Sequence, residues 1–434
     1  MLSGTALLCY ITSRRNFDLF NPLSFVLLNV LLGMTFRSLF VLVNPGNKIV
    51  QWKLLIDQNL DFFVVPSIYM LMGVIFLILG YSVKLKGFDI FSVQFLRKDI
   101  WRKFNFTLTL VLIVVLAILA GVQFLHKMGV ESLTISSFSK KRFLEIGGKK
   151  AALGYLRLIV GFLKIGFLFY LARHLRLNRK FLSLRGFVLI VTFLLALLFP
   201  IMTNSRGGVV LTILSALMIW YYLRGFSIKA LMISFILSLF LIVALTLSRQ
   251  NRITSATEIR GDVSHKYFAE TVLAARHYLG VTKTAHIIEA VPRELPFAYG
   301  STMFGWLVAP IPRAYWPEKP NIGLGPTIVE KALHGDYSRN GGVPPGLMGE
   351  LYWNFGLPGI IFGMFGFGLL LKLVYTSCIP YLRSNINILL LYSSFSISIA
   401  FHLTATSVNG GMLWLLKDIV PILFFIFLFR LRFK

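Results

Sequence analysis

The chain has 434 residues, of which 56% are hydrophobic and 14% charged, with a formal net charge of +27 and a mean hydropathy of +0.76. A soluble domain is about 45–50% apolar and about a quarter charged, so this composition excludes a soluble globular protein and describes an integral membrane one. The excess Lys and Arg sit largely in short loops between apolar runs, the pattern of membrane topology and of attraction to anionic lipid, and not of nucleic-acid binding.

Residues 1–11 are apolar but shorter than the ~20 residues a spanning helix needs. They lack the basic n-region and small-residue cleavage site of a signal peptide, and so read as a short first span. Further apolar segments cover residues 22–43, 62–83, 104–125, 151–172, 186–202, 207–222 and 228–247, then 357–375, 386–403 and 411–429. That makes about eleven spans. The expected fold is an all-α polytopic integral membrane protein, a single membrane domain over residues 1–434. Residues 249–356 form one long loop between the eighth and ninth spans, with short helices at 262–279, N-capped by Asp262, and at 284–291.

Loop charge sets the orientation. Lys84, Lys86, Arg97, Lys98, Arg102 and Lys103 lie between the third and fourth spans, and Arg173, Arg176, Arg179, Lys180 and Arg185 between the fifth and sixth. Placing these loops and the tail (Arg430, Arg432, Lys434) in the cytoplasm satisfies strict alternation, and the 249–356 loop then falls outside. The loop at 126–150, with Lys140, Lys141, Arg142, Lys149 and Lys150, falls outside against the rule. The two cysteines, Cys9 and Cys378, lie in or beside apolar runs, which excludes a disulfide framework and a cysteine metal site.

The long loop carries the chemistry-bearing residues. Pro310, Pro312, Pro317 and Pro320 rule out a continuous helix. Arg313, Tyr315, Trp316, Glu318 and Lys319 alternate aromatic with charged side chains, and a Gly–Pro hinge (Gly341 to Gly346) then delivers Glu350 to the mouth of an apolar helix. Arginine forks match phosphate oxygens, so Arg260, Arg276 and Arg313 are candidate ligands of a lipid pyrophosphate; contact with headgroups or with the loop's own acids is the competing reading. Arg206, in TNSRGGVVL, opens the seventh span, where it and the free N–H groups of a helix start suit an anion, or where it simply snorkels to the interface. Glu350, flanked by Tyr352, Trp353 and Phe355, reads either as a general base or as a carboxylate complementing the helix dipole. His277 is the rival base. Tyr315, Trp316, Tyr352 and Trp353 suit stacking on sugar faces, as they would suit an interfacial aromatic belt. Arg37, Arg157, Lys164, His402, Lys417 and Asp418 fall within apolar runs, which marks a bundle interior or a wet cavity; adjacent Lys417 and Asp418 point in different directions and make a poor mutual pair. No zinc-ligand spacing and no phosphate-cradling glycine loop is present, so neither a metal nor a cofactor is expected.

The pairing of PRAYWPEKP with GELYWNFGLPG resembles the bacterial oligosaccharide repeat-unit polymerases, the Wzy-type O-antigen and capsule polymerases. The resemblance is strongest over residues 293–368 and is supported by TNSRGG at Thr203 to Gly208. The Arg–Gly spacing of its outer loops (Arg293 to Gly305, Arg313 to Gly325) departs from that of some members. The resemblance implies a multi-pass protein of the bacterial cytoplasmic (inner) membrane, its active site facing the periplasm or cell exterior. It implies a metal-independent glycosyltransferase that passes a growing glycan from undecaprenyl pyrophosphate to a new lipid-linked repeat unit. Glu350 is then base or acceptor anchor, and Arg206, Arg276, Arg313 and Arg260 hold the pyrophosphate. Its partners are undecaprenyl-pyrophosphate-linked oligosaccharide as donor and acceptor, membrane lipid and a chain-length regulator, with no nucleic acid. The alternatives are a lipid-linked oligosaccharide flippase or transporter, and an O-antigen ligase.

Overall fold

The computed structural model describes residues 18–36, 39, 60–85, 103–127, 154–202, 205–253, 281–311, 315, 316, 318, 319, 322–334 and 343–430. Among the described residues all regular structure is helical. In chain order the helices are α1 (Pro22–Val30, extended by a π-helical turn Leu31–Phe36), α2 (Val64–Ser82), α3 (Lys103–Lys127), α4 (Gly154–Arg176), α5 (Leu184–Met202), α6 (Arg206–Arg224) and α7 (Ile228–Ile253). They continue with α8 (Val281–Ala290), α9 (Gly346–Cys378), α10 (Ile386–Ile397, extended by a π-helical turn Ser398–Leu403) and α11 (Val408–Arg430); single turns at Gly305–Val308 and Gly325–Thr327, and a π turn at Ile328–Ala332, lie between α8 and α9.

Eight of these helices are long and apolar enough to cross a membrane: α2 to α7, α9 and α11. They carry exposed rows of large apolar side chains, such as Ile228, Met232, Ile233, Phe235, Ile236 and Phe240 along α7. Such surface is stable against lipid tails and not against water. The protein is therefore a helical membrane protein. Of the other expected spans, residues 1–11 lie outside the described residues, the segment at 22–43 is described as α1 and its π turn only, and that at 386–403 divides into α10 and a π turn. The expected helix at 284–291 is present as α8, and that at 262–279 lies outside the described residues.

The chain divides into two compact units, one of residues 1–90, 263–377 and 396–415, the other of 91–262, 378–395 and 416–434. In the first, α2 and α9 cross at glycines. A Cβ on Gly80 would strike the carbonyl of Phe365, and one on Gly368 would strike the carbonyl of Leu77. Small residues let two backbones close to this range, the usual route to helix association where lipid supplies no hydrophobic drive. Met70, Val74, Leu77, Ile360, Met364 and Leu371 fill the core, none of them more than 1% exposed. The start of α1 is tied down by Tyr81, whose hydroxyl donates to Asn21 Oδ1 at 2.8 Å, and by Tyr375, whose hydroxyl donates to Asp18 Oδ2 at 2.9 Å.

The ninth span begins at Gly346, not at Leu357 as its hydropathy suggested. The cause is a break at Gly356 (φ 63°, ψ −153°), followed by Pro358, which separates a first half, Gly346–Phe355, from the longer apolar second half. Only glycine adopts that backbone geometry without strain. The first half, through Trp353, joins a small core with Ile287 and Ala290 of α8, Val291, Leu295, Ile328 and Ala332.

In the second unit α3 packs on α4 through Ala117, Ala120, Phe124, Leu156, Val160 and Leu163. The rings of Phe106, Phe169, Phe425 and Phe429 stack beside them. Hydroxyls inside the spans bond their own helix: Thr212 donates to the Gly208 carbonyl at 2.8 Å and Ser215 to that of Leu211 at 2.7 Å. Both side chains are buried, away from water, so this local satisfaction is what keeps such residues tolerable.

The glycine crossing yields a paired prediction. Gly80→Ala, forced against a backbone carbonyl, lowers the thermal midpoint in detergent by the equivalent of about 1–3 kcal/mol. Gly366→Ala, with open space at its Cβ, leaves the midpoint unchanged or raises it.

Candidate functional site

The described part of the segment between α7 and α9 converges on one buried polar network in the first unit. Glu350 sits one turn into α9 and is fully buried. One carboxylate oxygen accepts the backbone N–H of Val408, the first residue of α11, at 2.6 Å; the other accepts the Thr302 hydroxyl at 3.1 Å. A carboxylate at a helix N-terminus is favoured by both the free N–H groups and the helix dipole. Asn354, one turn further along α9 and also fully buried, accepts from the Gly300 N–H at 2.7 Å and donates to Thr302 Oγ1 at 2.7 Å. Asn409 of α11 completes the set, accepting from the Trp306 N–H at 3.0 Å and donating to the Thr302 carbonyl at 2.6 Å.

Three buried side chains thus grip the turn at residues 300–306. Gly300 has φ 87° and Tyr299 φ 45°, so the chain reverses through two left-handed residues there. The turn presents aromatic rings outward: Tyr299 is 78% exposed and Phe304 62%, with Phe355 alongside at 46%. The rings of Phe304 and Phe355 flank the Gly300 Cα, and a Cβ there would come within 3.5 Å of Phe355. A buried lysine, Lys283 of α8, donates to the Ala405 carbonyl at 2.8 Å, close before α11. Lys319 donates to the carbonyls of Ala309 and Ile311 at 2.7 and 2.9 Å.

The expected site residues fall as follows. Glu350 is in the network, with both oxygens engaged. Tyr352 is half-buried and stacks on Tyr69 at 6.0 Å. Trp353 is buried and donates its indole N–H to the Pro296 carbonyl at 3.2 Å, so its ring packs in the small core. Tyr315 is 85% exposed and Trp316 38%. Arg260, Arg276, His277 and Arg313 lie outside the described residues. Arg206 begins α6 behind Ser205, whose hydroxyl caps the helix by accepting the Gly208 N–H at 3.3 Å, as expected for a turn opening a span; the Arg206 side chain lies outside the described residues. Thr302, Asn354 and Asn409 were not singled out from sequence. The signal available was the Glu350–Asn354 spacing, which puts two polar side chains on one face of an apolar helix.

Of the ionisable residues in apolar runs, those of the second unit also gather. Lys164 of α4 donates to Asp418 of α11 at 2.7 Å, with the two side chains 20% and 14% exposed. Asp418 therefore pairs across helices with Lys164. Arg157 lies over the Phe124 ring at 5.1 Å. In the first unit His402 stacks flat on Trp414 at 4.4 Å.

Two predictions follow from these geometries. Glu350→Ala leaves the Val408 N–H and the Thr302 hydroxyl without their acceptor in a buried place, at about 1–3 kcal/mol per stranded group. Its thermal midpoint in detergent falls well below that of Glu350→Gln, which retains one carbonyl acceptor. For the ion pair, Lys164→Met and Asp418→Asn each lower the midpoint by stranding the partner, and the double variant Lys164→Met/Asp418→Leu recovers most of the loss. Single losses that simply add in the double variant would show that the pair contributes nothing. Set beside family models, curated proteins and solved structures, the chain matches none.

Proposed function

We propose that the chain is a membrane-embedded glycosyltransferase that polymerises oligosaccharide units carried on a lipid pyrophosphate, at the outer face of the membrane. The observation that carries the reading is the turn at 299–306: accessible aromatic rings on a short, strained reversal, pinned from below by Glu350, Asn354 and Asn409 at the entrance of a span. Aromatic faces with a rigid polar footing suit a sugar chain that arrives along the membrane surface. The likeness of the surrounding stretch to repeat-unit polymerases supports the same reading.

In this reaction an acceptor hydroxyl oxygen attacks the donor's anomeric carbon. The bond from that carbon to the pyrophosphate oxygen breaks, the lipid pyrophosphate leaves with the electron pair, and the hydroxyl proton passes to a base. The leaving group is already activated, so the protein's share is positioning, proton acceptance and charge stabilisation. Glu350 contributes by holding the turn in place, its oxygens being spent on Val408 and Thr302. His277 is the base, and Arg276 and Arg313 of the same unit balance the charge of the leaving pyrophosphate. Tyr299, Phe304, Tyr315 and Trp316 form the glycan shelf.

A transporter of lipid-linked oligosaccharide is the second reading, favoured by the Lys164–Asp418 pair inside the second unit, since ionisable groups in a helix bundle mark substrate or proton paths.

The deciding experiment gives purified protein in detergent one lipid-linked repeat unit, with no nucleotide and with EDTA present. A ladder of longer products is the expected result, and Tyr299→Ala or Phe304→Ala lowers its rate a few-fold to roughly tenfold without loss of fold. Substrate bound but unchanged would overturn the polymerase and move the test to flipping in sealed vesicles.

A further inference from the structure

The second unit holds a cavity that the proposed glycan chemistry does not use. It lies where α4 and α6 end, has a volume of about 370 Å³, and is lined by Asn178, Arg179, Lys180, Phe181, Trp220, Arg224 and Ser227. That is within the usual size range of small-molecule sites, about 300–1,000 Å³.

Two turns build it. The first ends α4 in a Schellman motif: Asn178 takes φ 49°, its N–H bonds the Leu175 carbonyl at 3.0 Å, and the Arg179 N–H bonds that of His174 at 3.3 Å. This closure sends Arg179 and Lys180 off the helix axis. Ser183 then caps α5 by accepting the Gly186 N–H at 3.1 Å. The second turn ends α6 at Gly225 (φ 87°), before Ser227 caps α7 by accepting the Ala230 N–H at 3.3 Å. The two turns are joined by a hydrogen bond from Arg224 Nη1 to Asn178 Oδ1 at 2.5 Å. Phe181 stacks on Trp220 at 5.8 Å and closes one side of the cavity with aromatic surface.

The charge of this place is one-signed. Arg179, Lys180 and Arg224 line the cavity, and Arg176, Arg185 and Lys229 stand on the flanking residues of the same two turns. Among the described residues of this unit Asp418 is the sole carboxylate, and it is paired with Lys164. The one partner seen for Arg224 is a neutral amide, which orients the guanidinium and leaves its charge uncancelled. Three cations converging on an open cavity, with no carboxylate among the described residues to meet them, call for an anion from outside.

The surroundings specify its carrier. Leu182 is 100% exposed, Leu184 80% and Phe226 63%, and all three belong to the same two turns or the residues next to them. A free phosphate gains nothing from such neighbours, while a phospholipid seats its headgroup phosphate among the cations and lays its acyl chains along the apolar side chains. We propose that this cavity binds the phosphate headgroup of an anionic phospholipid, held by Arg179, Lys180 and Arg224 with Ser227 as a neutral donor.

The test uses the full-length protein in a mild detergent. Dioleoylphosphatidylglycerol, dioleoylphosphatidylcholine or inorganic phosphate is added, with the thermal midpoint and lipid retention in native mass spectrometry as readouts. Phosphatidylglycerol is expected to raise the midpoint and to be retained in preference to phosphatidylcholine, with inorganic phosphate giving little. Arg179→Ala/Arg224→Ala weakens phosphatidylglycerol retention about tenfold or more, whereas Lys127→Ala, at a distant basic residue, does not. Equal retention of the two lipids by the unaltered protein would overturn the proposal, and that arm needs no variant to fold. Stabilisation by inorganic phosphate matching that by phosphatidylglycerol would overturn the lipid assignment, and undiminished retention by the double variant would overturn the site.

Discussion

A carboxylate removed from water must find its hydrogen-bond donors within the protein, and Glu350 finds them in two segments distant in sequence. One oxygen takes the first N–H of α11 and the other takes a hydroxyl from the 300–306 turn. The carboxylate thereby ties the first half of α9, the start of α11 and the 300–306 turn to one another. Asn354 and Asn409 serve the same turn with amide groups, which can both donate and accept and so satisfy backbone of either polarity. The aromatic surface of the turn is as well defined as this network beneath it. A left-handed reversal at Tyr299 and Gly300 would be a poor platform if it were held by loop contacts alone.

Sequence reading went furthest where hydropathy alone decides. Every expected apolar segment that lies wholly among the described residues carries a helix, and the turn before α6 stands where TNSRGG placed it. The boundary of α9 was misplaced for a definite reason. Gly356 and Pro358 look like the end of a loop, and they are a break within a helix whose first half is short, aromatic and polar. Glu350 stands at the start of that first half, one turn inside the helix. Its actual partners, Val408 and Thr302, are 58 and 48 residues away in the chain, and no local pattern announces contacts of that separation. Trp353 shows the same limit from the other side: an aromatic beside a candidate carboxylate reads as a sugar platform, and only packing places it in a core with Ile287 and Leu295.

The two units manage charge in opposite ways. In the first, buried groups of either charge and neutral amides are spent mostly on backbone, as Lys283, Glu350 and Asn409 are. In the second, cations outnumber the single described carboxylate, and arginines settle on aromatic faces, as Arg173 does over Phe106 at 4.2 Å. A quadrupole stabilises a cation without neutralising it. This unit therefore presents a standing positive field at its ends, which composition alone foretold and which the cavity beside Asn178 concentrates.

The interruption at Gly356 also bears on how the two halves of α9 hold together. Residues 346–355 pack on α8 and the segment before it, but Met348 also meets Gly73 of α2 and Tyr352 stacks on Tyr69 of α2, just as the second half meets α2 at Gly80 and Gly368. Both halves therefore lean on the same helix, and the break redirects α9 without releasing either half from it. A side chain added at Gly356 would strain that redirection, and the strain would be felt on both sides of the break.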